Sequence, residues 1–493
     1  MSGSYERLLE KLKRVHHLGT VAGLLGWDEQ VHLPPDSADQ RAEQLALIAE
    51  LQHAAAADPE IGRLLDSLTP IDAAQEVVIR EARRDYERVV KLPSEFVAEK
   101  ARHSSAAYHA WAAAKEADDF TAFAPHLEKH LALAHREAAY LGWGDRPYDY
   151  AIDKHDPGLT AARLTELFDE LQAGLVPLVR AIAASPVRAN PGIFRAFPVD
   201  AQREFLHEVT ARMGFDYRRG RIDVSLHPFC EGAGADVRMT TRFDVDNPLD
   251  SLFSAIHETG HGLYEQGMPL AAQGTPLGQN AGMGVHESQS RMWENQVSRS
   301  RSFWNHFEPR LRARFPAQLA GVGSDALYLA VNQVAPTLIR VDSDEVYYNL
   351  HILLRFALER RLFSGELTVA DLPAAWNALS QELLGLTPTS DRTGVLQDVH
   401  WSGGAFGYFP SYCLGNMIAS QLWFTVREAC AGLDADFERG DFSRLLAWLR
   451  AEIHQQGRRY GALELVRRVT GEELTPKYLL RYLEERYAPL YLR

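Results

Sequence analysis

Cysteine is scarce in this chain: three occur in 493 residues, Cys230, Cys413 and Cys430, odd in number and far apart. No disulfide framework or thiolate zinc knot follows from them, and a reducing compartment is the simpler expectation. Long apolar runs are missing too. No stretch of 18 apolar residues occurs, so a membrane span is not expected. The opening MSGSYERLLEKLKR lacks the apolar core of a signal peptide. These absences lead to the expectation of a cytoplasmic protein that makes no use of a membrane. Basic charge is in deficit, with 52 Lys and Arg against 66 Asp and Glu and a net charge of −14. Such a surface repels phosphate backbones, so nucleic acid is not expected as a partner, and the charge serves solubility. No Ser/Gly/Pro linker, repeat or low-complexity segment divides the chain. With 46% hydrophobic and 24% charged residues, it reads as one large globular unit over 1–493, with room for two lobes around a groove.

Strand signal is sparse. The clearest case lies between Arg221 and Asp246, where RIDVSLHPF and DVRMTTRFDV alternate and carry Val, Ile, Thr and Phe. Gly232 to Ala235 supply turn residues between them, which predicts a small antiparallel β-sheet. Helical periodicity dominates elsewhere. Leu8, Leu12, Val15 and Leu18 form one stripe, with Ser4 as N-cap. Further helices are predicted over 72–91, 94–116, 119–141, 159–184, 344–364 and 401–431. A last one is opened by Thr475 and Pro476 and runs to about Tyr487. The expected fold is mainly α, a large helical bundle-like structure with a deep groove and that small sheet.

Chemistry concentrates in the middle. After Asn247-Pro248 and Asp250, either of whose polar side chains can cap a helix, comes His257-Glu258-Thr259-Gly260-His261, an HExxH pattern. Residues four apart on a helix share a face, about 5–6 Å between Cβ atoms, so two imidazoles at this spacing can hold one Zn²⁺. Glu258 points about 100° away from His257, so it can miss the ion and reach its bound water, as a general base must. The plain alternative is a helix with two satisfied histidines and a surface Glu. Gly260 weakens the helix by about 1 kcal/mol relative to Ala, which points to a neighbouring element packed close against it. A catalytic zinc needs a third protein ligand and an open position. Beyond the glycine-containing stretch from Gly274 to Gly284 a second helix opens at Val285, offering Glu287 or its rival His286.

This region resembles the carboxypeptidase Taq family of metallocarboxypeptidases. Five signatures stand in that family's order: His227-Pro228-Phe229; Asp236-Val237-Arg238-Met239-Thr240; the HExxH; His286-Glu287-Ser288-Gln289; and Gly394 through Gln397-Asp398 to His400-Trp401. The resemblance covers at least 220–416, and Trp27-Asp28 fits it too. One signature departs: Ile339-Arg340-Val341-Asp342-Ser343-Asp344 has Ser343 where the family has alanine. The resemblance implies His257, His261 and Glu287 as metal ligands, Zn²⁺ as the ion with Co²⁺ as a second candidate, and a homodimer. It also implies a single catalytic domain that removes single C-terminal residues from peptides with broad specificity. Candidate donors to the reaction's oxyanion are Tyr408, Tyr412, His227 and His400, which the sequence does not rank. A substrate's terminal carboxylate calls for an arginine fork. Arg340, helped by Tyr412 or Tyr408, is the expected holder, with Arg355 and Arg238 as alternatives. Arg340 and Arg355 are 15 residues apart, near four helical turns, so one helix could face both to the same side. Competing readings are a dipeptidyl carboxypeptidase, endopeptidase or aminopeptidase, a two-His, one-carboxylate iron oxygenase, and a non-catalytic helical binding protein.

Overall fold

The computed structural model describes residues 2–492 and is mainly helical, with one small sheet. Most helices lie where the periodicity places them: Ala73–Val90, Ser94–Ala117, Phe120–Tyr140, Ala161–Ala184 and Lys477–Tyr491. Their starts follow from side chains that accept orphan backbone N–H groups. Asp119 accepts from the N–H of Thr121 at 3.0 Å and Thr160 from that of Arg163 at 3.2 Å. Among the described residues, no helix is long and apolar enough to cross a membrane.

Three boundaries differ from expectation. The first helix spans Ser2–Val31, so Ser4 lies inside it and is no cap. The helix predicted from 344 begins at Tyr348, because the Asp344 carboxylate takes the N–H groups of Val346 and Tyr347 at 2.9 and 3.0 Å and holds them in a turn. The helix predicted from 401 begins at Phe409. Ahead of it, Gly404 and Gly407 adopt φ of 68° and 72°, in the left-handed region. A Cβ on Gly407 would also sit 2.4 Å from the Ala151 backbone.

The sheet is mixed rather than antiparallel. Its strands are β1 (Gly220–Val224), β2 (Cys230–Ala233) and β3 (Asp236–Thr241), in the order β1-β3-β2. The glycine turn makes β2 and β3 an antiparallel hairpin, with Cys230 opposite Met239. RIDVSLHPF does not run on as one strand. It leaves the sheet after Val224, and β1 lies on the far edge of β3, parallel to it, with Ile222 opposite Met239. Val237 and Met239 are fully buried. Met239 meets the HExxH helix, Pro248–Gly267, at Gly262, where any Cβ would come 3.2 Å from its sulfur.

The chain divides into two compact units, each assembled from separate stretches. The first comprises Met1–Val90, Asn190–Val331 and Ala419–Glu473. Its core holds Leu252, Ile256, Leu263 and Tyr264 of the HExxH helix, with Trp293, Phe303, Trp304 and Phe307. The second comprises Lys91–Ala189, Asn332–Ile418 and Leu474–Arg493. Leu164, Leu171, Leu175, Leu350, Ile352 and Leu354 are fully buried there. Each such side chain contributes about 1.5–3 kcal/mol on leaving water.

Candidate metal centre

In the first unit, Pro248 at the first helical position starts the HExxH helix, and His257 and His261 sit one turn apart with ring centroids 4.8 Å apart. Asn247 occupies the cap position without a side-chain bond, and Asp250 is drawn off to Arg242 at 2.6 Å. A second helix, Met283–Arg291, lies against this one. Gly260 is a point of close approach between them. A Cβ there would stand 2.5 Å from Ser290 Cα and 2.6 Å from the Gln289 carbonyl oxygen. That approach brings Glu287 over the histidine pair, its Oε2 lying 3.6 Å from His257 Nε2 and 3.4 Å from His261 Nε2. His286, the rival ligand, turns instead to the far side of the His261 ring, where its Nδ1 meets His261 Nδ1 at 2.5 Å.

These positions suit one small divalent ion. Two atoms each about 2.0–2.1 Å from a shared ion can be no more than about 4.2 Å apart, and both separations to Glu287 are shorter. Two imidazole nitrogens and a carboxylate oxygen, without a thiolate, form a donor set of the zinc type. Among the described residues, this is also where three such side chains converge closely enough to share an ion.

The surroundings hold each donor in place. Glu287 accepts from Arg291 Nε at 2.7 Å and from Ser290 Oγ at 3.0 Å. Although burial works to raise it, Arg291 with His257 and His261 keeps this carboxyl well below the usual range. The second helix widens into a π-turn, Met292–Val297, which carries Glu294 to His257 Nδ1 at 2.8 Å. Burial opposes the charge of Glu294 as well, but Arg291 and His257 bring it down to about 2. Burial pulls His257 down, and Glu287 and Glu294 reverse this, leaving it raised. For His261, burial and then the adjacent His286 lower the pKa to about 3, so the ring stays neutral. Glu258 is buried, and among the described residues its carboxylate has no hydrogen-bond partner. Burial first, with Glu287 and Glu294 adding repulsion, pushes it up to about 7. A divalent cation alongside would draw it back down.

Glu265, Glu294 and Arg291 join the site without having been expected from the sequence. Their spacing was a usable signal: Glu265 continues the stripe of His257 and His261, and Arg291 and Glu294 follow Glu287 by four and seven positions. His227 was a candidate donor. It lies exposed between β1 and β2, its side chain without a hydrogen bond among the described residues. Arg238 is bound to Asp236 at 2.9 Å and stacks 4.4 Å from the centroid of the buried Trp27 ring.

The second unit gathers the other candidates. Arg340 lies in a short 3-10 turn, Arg340–Asp342, and not on the helix that carries Arg355, so the two share no helical register. They meet instead through a common partner, Asp398, at 2.9 and 2.6 Å. Arg340 Nη1 also donates to Tyr348 at 2.9 Å, while among the described residues its Nη2 has no hydrogen-bond partner. Arg355 is fully buried, held in addition by Gln397 and the His351 carbonyl, and is structural. Tyr412 lies 5.1 Å beneath the Arg340 guanidinium and hydrogen-bonds His400 Nε2 at 3.2 Å. Tyr408 stands edge-on to Tyr412, with centroids 5.3 Å apart.

Replacing Gly260 by Ala tests the close approach. Overpacking costs about 1–3 kcal/mol, more than the helix gains from Ala. The second helix must withdraw and take Glu287 with it. Metal affinity should fall at least about tenfold, together with the melting temperature of the metal-free protein. Values equal to wild type in both measurements would refute this account of Gly260.

Residues 7–487 match the family described as Carboxypeptidase Taq (M32) metallopeptidase. The chain is 42% identical to Thermostable carboxypeptidase 1 of Thermus thermophilus and 36% identical to Carboxypeptidase 1 of Bacillus subtilis, covering 99% of both partners in each case. Its fold superposes on the crystal structure of the M32 carboxypeptidase from Deinococcus radiodurans R1 with a TM-score of 0.97, at 43% identity over 100% of both chains. Against Trypanosoma cruzi metallocarboxypeptidase 1 the TM-score is 0.95, at 34% identity over 99% of this chain and 100% of that one. The chain therefore belongs to the carboxypeptidase Taq (M32) family and is a metallocarboxypeptidase.

Proposed function

We propose that the protein removes single residues from the C-termini of peptides, with broad specificity, using Zn²⁺ held by His257, His261 and Glu287. Co²⁺ is a workable substitute. The observation that carries this reading is the convergence of His257 Nε2, His261 Nε2 and Glu287 Oε2, with the buried carboxylate of Glu258, which has no hydrogen-bond partner among the described residues, one residue from the first ligand. When bound, such an ion polarises the scissile carbonyl and acidifies water. Glu258 takes the proton from the attacking water and returns it to the leaving amine. Arg291 and Glu294 keep Glu287 and His257 aimed. Arg340 offers its Nη2 to the substrate's terminal carboxylate, with Tyr412 or Tyr408 beside it, and Tyr408, Tyr412, His227 and His400 are the candidate donors to the oxyanion. On this reading residues 1–493 act as a single catalytic domain.

A peptide and its C-terminal amide, followed by time-resolved mass spectrometry with and without a chelator, test the proposal. The acid should lose one residue at a time from its C-terminus, the amide should stay intact, and the chelator should stop the reaction. Internal fragments or loss of residues in pairs would replace it with an endopeptidase or dipeptidyl mode.

Arg340→Lys keeps the charge but loses the planar fork. KM for short peptides should rise roughly tenfold or more, the value of one charged hydrogen bond, with metal content unchanged. An unaltered KM would remove Arg340 from the site.

We also place the enzyme in the cytoplasm as a homodimer. Its three free cysteines support the first reading, and the second rests on the family resemblance. Light scattering on the purified protein measures the dimer directly.

A further inference from the structure

We infer that Glu265 and His286 form a relay that fixes the tautomer of His261 and so positions it as a ligand, an inference that rests on the role proposed above for His261. Neither residue reaches the substrate or the ion in this scheme; both are positioning residues.

The proton inventory leads there. His286 Nε2 lies 2.9 Å from Glu265 Oε1. A carboxylate is an acceptor, so this nitrogen carries the hydrogen. The other ring nitrogen, Nδ1, is then left to accept. It faces His261 Nδ1 at 2.5 Å, a distance that requires one hydrogen between the two nitrogens. That hydrogen belongs to His261. The proton of His261 is thereby drawn to Nδ1, and its Nε2, on the side of Glu287 Oε2, is left free for an ion lying between them. The reverse arrangement, with the hydrogen on His286 Nδ1, makes His286 a cation and moves the His261 proton onto Nε2, where a metal ligand must have none.

The elements of the fold bring the three residues into line. Glu265 is the third member of the stripe His257, His261, Glu265 on one face of the HExxH helix, and its side chain makes no other hydrogen bond among the described residues. His286 comes from the facing helix, beside Glu287, with its ring centroid 4.6 Å from that of His261. Adjacent residues thus supply a ligand and the support of a different ligand. His257 is wired otherwise: its Nδ1 meets Glu294 directly, and Arg291 and Arg299 hold that carboxylate at 3.1 and 3.8 Å. One histidine is anchored by an arginine-clamped carboxylate, the other by a neutral imidazole that passes the same instruction along. Partners of this kind are worth about 10–100-fold in metal affinity.

Two measurements on the full chain test the relay. In the metal-free protein, ¹⁵N NMR of the histidine rings should show His261 protonated on Nδ1 in wild type and shifted toward the Nε2 tautomer in His286→Leu and in Glu265→Ala. In zinc titrations against a competing chelator, both variants should bind about 10–100-fold more weakly. Glu265→Gln, whose amide oxygen still accepts from His286, should stay within about threefold of wild type. The double variant His286→Leu, Glu265→Ala should bind no more weakly than His286→Leu alone, because Glu265 acts only through His286. Retention of the Nδ1 tautomer in the single variants, or additive losses in the double one, would overturn the relay. Should His286→Leu fail to fold, Glu265→Ala against Glu265→Gln discriminates equally well. A wild-type protein that binds no zinc would count against the metal site, whereas the metal-free spectra decide the relay separately.

Discussion

Glu258→Gln should lower kcat by about 10²–10⁴-fold, the range expected for a positioned general base, while the protein keeps its full complement of metal. Glutamine has nearly the volume of glutamate, so packing in the HExxH helix is preserved, and residue 258 lies outside the proposed ligand set. What disappears is the capacity to accept and return a proton. The stability change should run the other way. Glu258 is buried, has no hydrogen-bond partner among the described residues and is repelled by Glu287 and Glu294. Neutralising it relieves that repulsion, so the metal-free variant should melt no lower than wild type. Turnover measured together with metal content and melting temperature checks all three expectations. A variant retaining more than a tenth of wild-type kcat would remove Glu258 from the mechanism. Loss of metal would show that the substitution had disturbed the ligands instead.

The second large effect is expected at Asp398. This largely buried carboxylate neutralises two buried guanidiniums, Arg340 and Arg355. Breaking a buried ion pair from one side leaves charge without compensation and typically costs about 3–5 kcal/mol. Asp398→Ala should therefore destabilise the protein by that amount at pH 7, as read from urea unfolding. The pH dependence follows from linkage. Burial works to raise the Asp398 pKa, but Arg355 and Arg340 outweigh it and hold the carboxyl far below its ordinary value. A depressed carboxylate pKa stabilises the fold at pH values above the unfolded-state pKa of about 3.9, and that contribution fades as pH falls through the acid range below it. Wild type should thus lose stability below about pH 4 more steeply than the variant, and the two curves should converge toward strong acid. Parallel curves, or a loss under 1 kcal/mol at pH 7, would show that the two arginines find other partners.

Local patterns were the legible part of the sequence. The HExxH spacing and the short connection to the helix carrying Glu287 told of a site assembled by neighbouring elements, and Gly260 pointed to a close helix contact that the structure places at Ser290. Patterns settled by partners far away in the chain were not legible. Asp398 stands 58 residues from Arg340 and 43 from Arg355, and no local periodicity predicts that both will converge on it. The pairing of the sheet is hidden for a similar reason. Alternation marks a strand but not its neighbour, and the neighbour of β1 is β3, beyond an intervening strand. Ser4 looked like a cap because serine often is one, yet the helix simply begins earlier. The division into two units, each built from three stretches, leaves no compositional mark at the crossing points.

The candidate ligands and the side chains hydrogen-bonded to them lie between His257 and Glu294, only 37 positions apart. The entropy lost on closing a loop grows only slowly with its length. The remaining 450 or so residues supply the core against which these two helices pack, Met239, Phe303 and Phe307 among it. Their task is to shape what surrounds the ion. Changes elsewhere that leave this packing intact can therefore reshape the surroundings of the site without dismantling it.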